Sequence, residues 1–204
     1  MKILENKMTP NGRRVRVFLA EKDINMDYEQ IDIMKGENLS KEFREKNASG
    51  RVPVLELDDG THISESVAIC RYFEELHPDR APLFGKDALE KAKIEMWNRR
   101  AEMELFISVA LCFRNTSGFF KDREKCFQDF GEESGVAAKK TLKRFNRHME
   151  NSTYLAGEDF SIADITLLCS IDFAAFADIK INEEDHPHLM RWHKLVSERP
   201  SAKA

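Results

Sequence analysis

The sequence predicts an α/β unit of order β-α-β-α-β-β-α followed by an all-helical unit. Three observations carry this. Period-two alternation is confined to the N-terminal part, an Asp-Gly turn separates two short apolar runs within residues 51–64, and everything from residue 89 onward has helical periodicity. Two prolines and a glycine interrupt the pattern in PDRAPLFGKD. The expected division is therefore residues 1–80 for the α/β unit, 81–88 for a linker and 89–204 for the helical unit.

Residues 1–7, MKILENK, read as a first strand, and NGRRVRVFLAEKDI then sets Val15, Phe18 and Leu19 on one helical face. The stretch MTPNG is thus a strand-to-helix turn. Alternation returns in MDYEQIDIM, and Leu39 and Phe43, four apart, mark a short helix in GENLSKEFREKNASG. RVPVLELDDGTHIS is a hairpin, because Asp59-Gly60 suits a tight turn with positive φ. ESVAICRYFEELHP carries Val67, Ile69, Cys70, Phe73 and Leu76 at helical spacing and stops at Pro78.

In the second half, ALEKAKIEMWNRRAEMELFISVALCFRN is long enough for one unbroken helix of about 28 residues, about 42 Å at helical rise. A loop at Gly118 and Phe119-Phe120 leads to a helical run ending near KKTLKRFNRHMENSTY. Ser161 precedes Asp164 by three residues, the spacing of a capping box, with Phe160 and Ile165 at hydrophobic-staple positions. The last helix, HPHLMRWHKLVSERPSA, ends at Pro200.

The totals exclude several classes of function. No run approaches the roughly 18 apolar residues of a membrane span, and the N-terminus lacks the apolar core of a secretory signal, so the expected compartment is the cytoplasm. Cys70, Cys112, Cys126 and Cys169 lie far apart, in neither a redox nor a zinc-ligand spacing, and are expected as buried free thiols. A net charge of -4 offers no general attraction to nucleic acid or anionic membrane. Arg13, Arg14 and Arg16 are accordingly expected on a solvated helix face. His186, His188 and His193, lacking a carboxylate or Cys framework, are expected at the surface with no metal.

Three motifs together resemble the soluble glutathione S-transferase superfamily: a hydroxyl residue at the first strand-helix turn, Arg51-Val52-Pro53-Val54-Leu55 opening the hairpin, and Ser64-Glu65-Ser66-Val67-Ala68-Ile69 opening the next helix. The capping box with Gly157 is similar to that family's C-terminal signature. The resemblance implies a thioredoxin-like domain joined to a helical bundle, usually a homodimer, with glutathione along the first domain and an electrophile in the cleft facing the second. Thr-Pro-Asn-Gly more closely resembles the bacterial nu-like class, in which Thr and Asn both contact the sulfur and disulfide reduction through glutathione is known. Three functions follow: conjugation of glutathione to small hydrophobic electrophiles, glutathione-dependent disulfide or peroxide reduction at the same site without an enzyme cysteine, or non-catalytic binding on a transferase-like fold.

Glutathione carries two carboxylates, an ammonium and a thiol, and the thiolate is its nucleophile. Thr9 and Asn11 are the candidate catalytic pair, set where a helix amino-terminus favours negative charge; read alone, they cap a helix. Val52, before a proline that is cis in this family, is expected to pair with the peptide part of glutathione as an added strand does. Glu65 and Ser66 are expected at the γ-glutamyl end, the former on the ammonium and the latter on the carboxylate, although Ser64 to Ser66 alone read as an ordinary helix cap. Asn38 takes the place where relatives offer His, Gln or Lys to the glycyl carboxylate, with Arg51 and Lys35 as charged candidates that also read as solvated surface residues. For the electrophile, Met103, Phe106 and Phe113, with Phe119 and Phe120, form either an apolar wall or simply core.

Overall fold

A computed structural model describes all 204 residues. It divides into two compact units, Met1–Pro82 with Pro200–Ala204, and Leu83–Arg199. The tail expected to close the helical unit thus belongs to the first. Leu83 and Phe84, in the expected linker, are buried parts of the second.

The first unit holds a four-stranded sheet of order β2-β1-β3-β4. Its strands are β1 (Lys2–Glu5), β2 (Asp27–Gln30), β3 (Val54–Glu56) and β4 (His62–Ser64). β1 runs parallel to β2 and antiparallel to β3, and β3 and β4 form the expected hairpin. Register pairs Ile3 with Leu55 and Leu4 with Val54, so alternation sends the two pairs to opposite faces. On one face Leu4 and Val54 pack with Ile31 and with Phe43 of α2 (Lys41–Lys46). Helices α1 (Pro10–Glu21) and α3 (Ser66–Leu76) pack on each other and bury Val15, Phe18, Leu19, Ile69 and Phe73. Leu76, placed in that face by its spacing, is exposed at the helix end.

The charges of α1 depart most from expectation. Arg13, Arg14 and Arg16 do not form a solvated face: Arg14 is 1% exposed, Arg16 pairs with the buried Glu5, and Arg13 donates to the Ala202 carbonyl at 3.1 Å. Lys22 is buried as well, 2.8 Å from Glu74 and donating to the Ala81 carbonyl at 3.0 Å. Arg14 and Lys22 stand four residues either side of Phe18, on the stripe that Phe18 buries.

The second unit contains α4 (Ala88–Arg100), a π-helical segment (Ala101–Phe106), α5 (Ile107–Thr116), α6 (Gln128–His148), α7 (Ile162–Ala174) and α8 (Pro187–Ser197). The expected single helix is therefore continuous in its path but widened in the middle. The Ile107 amide donates five residues back to Glu102, and the Glu104 carbonyl accepts from the hydroxyls of Ser108 at 2.9 Å and Thr141 at 3.4 Å. α7 is the centre of the core, with eleven buried residues. No helix is long and apolar enough to cross a membrane. Cys70, Cys112 and Cys169 are buried free thiols, whereas Cys126 is only half-buried and donates to the Arg114 carbonyl at 3.4 Å.

Candidate active site

Asn6 organises the β1–α1 turn. Its side chain donates to the Ile31 carbonyl at 3.0 Å and accepts from the Met8 amide at 3.1 Å, while its carbonyl accepts from the Thr9 amide at 2.9 Å. Thr9 then caps α1, accepting from the Gly12 amide at 3.3 Å. The Thr9 hydroxyl proton goes to the same Asn6 carbonyl, at 2.8 Å. Of the two readings of Thr9, sulfur contact and helix cap, the structure shows the cap, and its hydroxyl is occupied as both donor and acceptor.

Asn11 differs. Pro10 has no amide proton and the Gly12 amide is spent on Thr9, so the donors left at this end of α1 are the Asn11 main-chain amide and carboxamide. Gly12 lets the helix approach the sheet: a Cβ there would stand 2.7 Å from the Glu5 carboxylate and 3.0 Å from the Thr9 hydroxyl.

The Val52–Pro53 peptide is cis. Val52 stands two residues ahead of β3, outside its ladder, and packs on the Leu4, Ile31, Phe43 and Val54 cluster. Asn38 is tied to this loop, its Nδ2 donating to the Gly50 carbonyl at 2.6 Å while its Oδ1 is buried without a partner. Arg51 is exposed beside it, with its carbonyl accepting from Asn47 at 2.8 Å. Lys35 is also exposed and stands 3.4 Å from Asp32. Asn38, Arg51 and Val52 thus share one loop cluster, and Asn38 already uses its amide to hold it.

Glu65 precedes α3 at φ 69°, ψ 113°, a conformation that costs a non-glycine residue about 1–3 kcal/mol. Exposed there, it leads into Ser66, the buried first residue of α3. The Ser66 hydroxyl accepts from Arg14 Nη1 at 2.7 Å. This bond joins the starts of α1 and α3. Two helix amino-termini and a buried guanidinium, all of positive sign, therefore meet at one place in the first unit. Arg14, expected on a solvated face, is the residue at this place whose position sequence reasoning missed, and its signal was its place on the Phe18 stripe.

In the second unit, Phe113 stands at the centre of an aromatic group, with ring centroids 5.3 Å from Phe173, 5.6 Å from Phe119 and 6.4 Å from Phe120. Phe106 joins through Phe173 at 5.9 Å. Met103 is half-exposed, and its sulfur accepts from Arg99 at 3.1 Å. Of the histidines expected at the surface, His186 is buried, and burial pushes its imidazole pKa down. His193 bonds Asp172 at 2.6 Å.

Residues 7–81 match the family described as glutathione S-transferase, N-terminal domain, and residues 118–200 that described as glutathione S-transferase, C-terminal domain. The whole chain is 38% identical to glutathione S-transferase 2 of Saccharomyces cerevisiae, over 88% of that protein. The chain belongs to the glutathione S-transferase family. Its first unit is thioredoxin-like and its second all-helical, as in the solved Gtt2 from Saccharomyces cerevisiae. That structure matches at a TM-score of 0.93 with 38% identity, covering 100% of this chain and 99% of that one. A glutathione S-transferase domain-containing protein from Marinobacter aquaeolei matches at 0.94, also 38% identical, over 98% and 99% of the two chains. The transferase is similar in addition to part of a probable elongation factor 1-gamma of Arabidopsis thaliana, 32% identical over 84% of this chain and 42% of that protein.

Proposed function

We propose that this transferase binds glutathione on its first unit, holds its sulfur as thiolate at the amino-terminus of α1, and directs it at small hydrophobic electrophiles. The observation that carries this is the Arg14–Ser66 bond, which sets the amino-termini of α1 and α3 side by side. Ser66 and the first amides of α3 receive the γ-glutamyl carboxylate, and exposed Glu65 pairs with its ammonium. Val52 offers its main chain to the peptide, and exposed Arg51, next to the Gly50 that Asn38 holds, is the proposed cation for the glycyl carboxylate.

At the sulfur, the free donors of Asn11 do most of the work. Thr9 contributes through the turn it caps, and its hydroxyl reaches sulfur only after leaving the Asn6 carbonyl. This follows the nu-like motif with the weight moved to Asn11. Phe106, Phe113 and Met103 supply the apolar surface for the electrophile, since aromatic edges and faces suit a flat, electron-poor ring. A second copy of the chain is the proposed partner, covering exposed Leu89 and Met96, seven residues apart on α4.

Titration calorimetry with glutathione is expected to show one site per chain, and conjugation to a chloronitrobenzene is expected to run faster than reduction of hydroxyethyl disulfide. The reverse ranking transfers the same site to disulfide reduction without an enzyme cysteine. Absence of glutathione binding leaves a non-catalytic binding protein on a transferase-like fold.

A further inference from the structure

The last five residues lie against α1, the helix whose amino-terminus carries Thr9 and Asn11. They turn once as a 3-10 helix, Pro200–Lys203, and reach α1 from two directions. Ser201, buried, donates its hydroxyl to the carboxylate of Glu21, the last residue of α1. The Ala202 carbonyl accepts from Arg13 Nη2 at 3.1 Å. Arg13 and Glu21 are eight residues apart, about 12 Å along the axis, so both side chains converge on two adjacent tail residues.

Arg13 is also the residue whose own amide closes the first turn of α1, donating to the Thr9 carbonyl at 3.0 Å. One bond therefore separates the tail's hold on Arg13 from the residue that caps the helix. At its other end α1 is fixed by buried Lys22, and near its start Arg14 is tied to Ser66 and Thr9 to Asn6; the strap adds a hold on Arg13, beside the first turn.

We infer that residues 200–204 act as a strap that sets the position of the first turn of α1, and that Arg13 is a positioning residue for the sulfur site. The inference rests on the proposed role of Asn11. Arg13 touches no part of glutathione in this account; it fixes where the Asn11 donors point. Displacing oriented groups by about an ångström is enough to cost up to about a hundredfold in rate.

The test compares Arg13→Met, Arg13→Lys and Ser201→Ala in the full chain. Arg13→Met is expected to lower kcat/KM about tenfold and raise the apparent thiol pKa in its pH profile by about one unit. The KM for glutathione should stay within about twofold, since the groups that bind its carboxylates lie elsewhere. Arg13→Lys, able to reach the same carbonyl, should recover part of the loss, and Ser201→Ala should show a smaller loss of the same kind. Amide hydrogen exchange gives a readout free of chemistry: the Arg13 amide should exchange faster in Arg13→Met and in Ser201→Ala, with the rest of the sheet unchanged. Unchanged exchange in both variants overturns the strap. Faster exchange with a wild-type pH profile overturns the positioning role, and if Asn11→Ala also leaves that profile unchanged, the fault lies in the sulfur assignment instead.

Discussion

Replacing Asp164 by Ala lowers the stability of the helical unit by about 3–5 kcal/mol. The carboxylate is fully buried and receives four hydrogen bonds: from the Leu155 amide at 2.8 Å, the Ser161 amide at 3.0 Å, the Ser161 hydroxyl at 3.1 Å and Trp192 Nε1 at 2.9 Å. It thereby fastens the start of α7 to the preceding loop and to α8. Alanine leaves these buried donors without an acceptor, each at about 1–3 kcal/mol before relaxation. Trp97 and Trp192 both belong to this unit, so urea unfolding followed by tryptophan emission reports it directly.

Burial pushes the Asp164 carboxyl up to about 6, against the pull of its donors. Since this exceeds the unfolded value of about 3.9, the folded chain binds the extra proton between those limits. The stability this proton contributes is present below about pH 4 and lost as pH rises through about 6. Asp164→Asn, which cannot titrate, should therefore gain on wild type across that window. A wild-type slope of opposite sign would show that the four donors outweigh burial.

Arg14→Met weakens glutathione binding about 10- to 100-fold, about 1.4–2.7 kcal/mol. Methionine fills much of the same buried volume but removes the charge and the bond to Ser66. Ser66 then keeps its place while the positive sign that favours a carboxylate falls. The loss should appear in KM for glutathione more than in kcat, because the interaction is made in ground and transition states alike. Arg14→Lys should not restore it, as an ammonium lacks the planar fork that aims at Ser66. Calorimetry measures the change; an affinity within twofold of wild type would remove Arg14 from the site.

Much of the fold was legible because period-two runs and helical stripes report burial face by face. The hairpin at Asp59-Gly60, the capping box at Ser161 and Asp164 and the break before residue 89 each rest on local chemistry. What local chemistry hides is the partner. Arg14 looked solvated because charge usually is, yet it and Lys22 sit on the Phe18 stripe and meet Ser66 and Glu74, some fifty residues away in sequence. His186 was also expected at the surface and is buried, through packing that its local sequence does not announce. The widened turn at Ala101–Phe106 left no mark in the sequence pattern, since one extra residue in a helical turn shifts the face without changing composition. The tail was assigned by its position in sequence to a unit it does not join. Thr9 was placed correctly at the turn, but only coordinates show that its hydroxyl is engaged.

The most direct test of the account is ultraviolet titration of the thiolate of bound glutathione in wild type, Thr9→Ala, Asn11→Ala and the double variant. The wild-type protein should hold the thiol at least one unit below its ordinary pKa of about 8.5. Asn11→Ala should return most of that shift, Thr9→Ala less, and the double variant all of it. A double variant that titrates as wild type does would contradict the claim that the amino-terminus of α1 makes the thiolate.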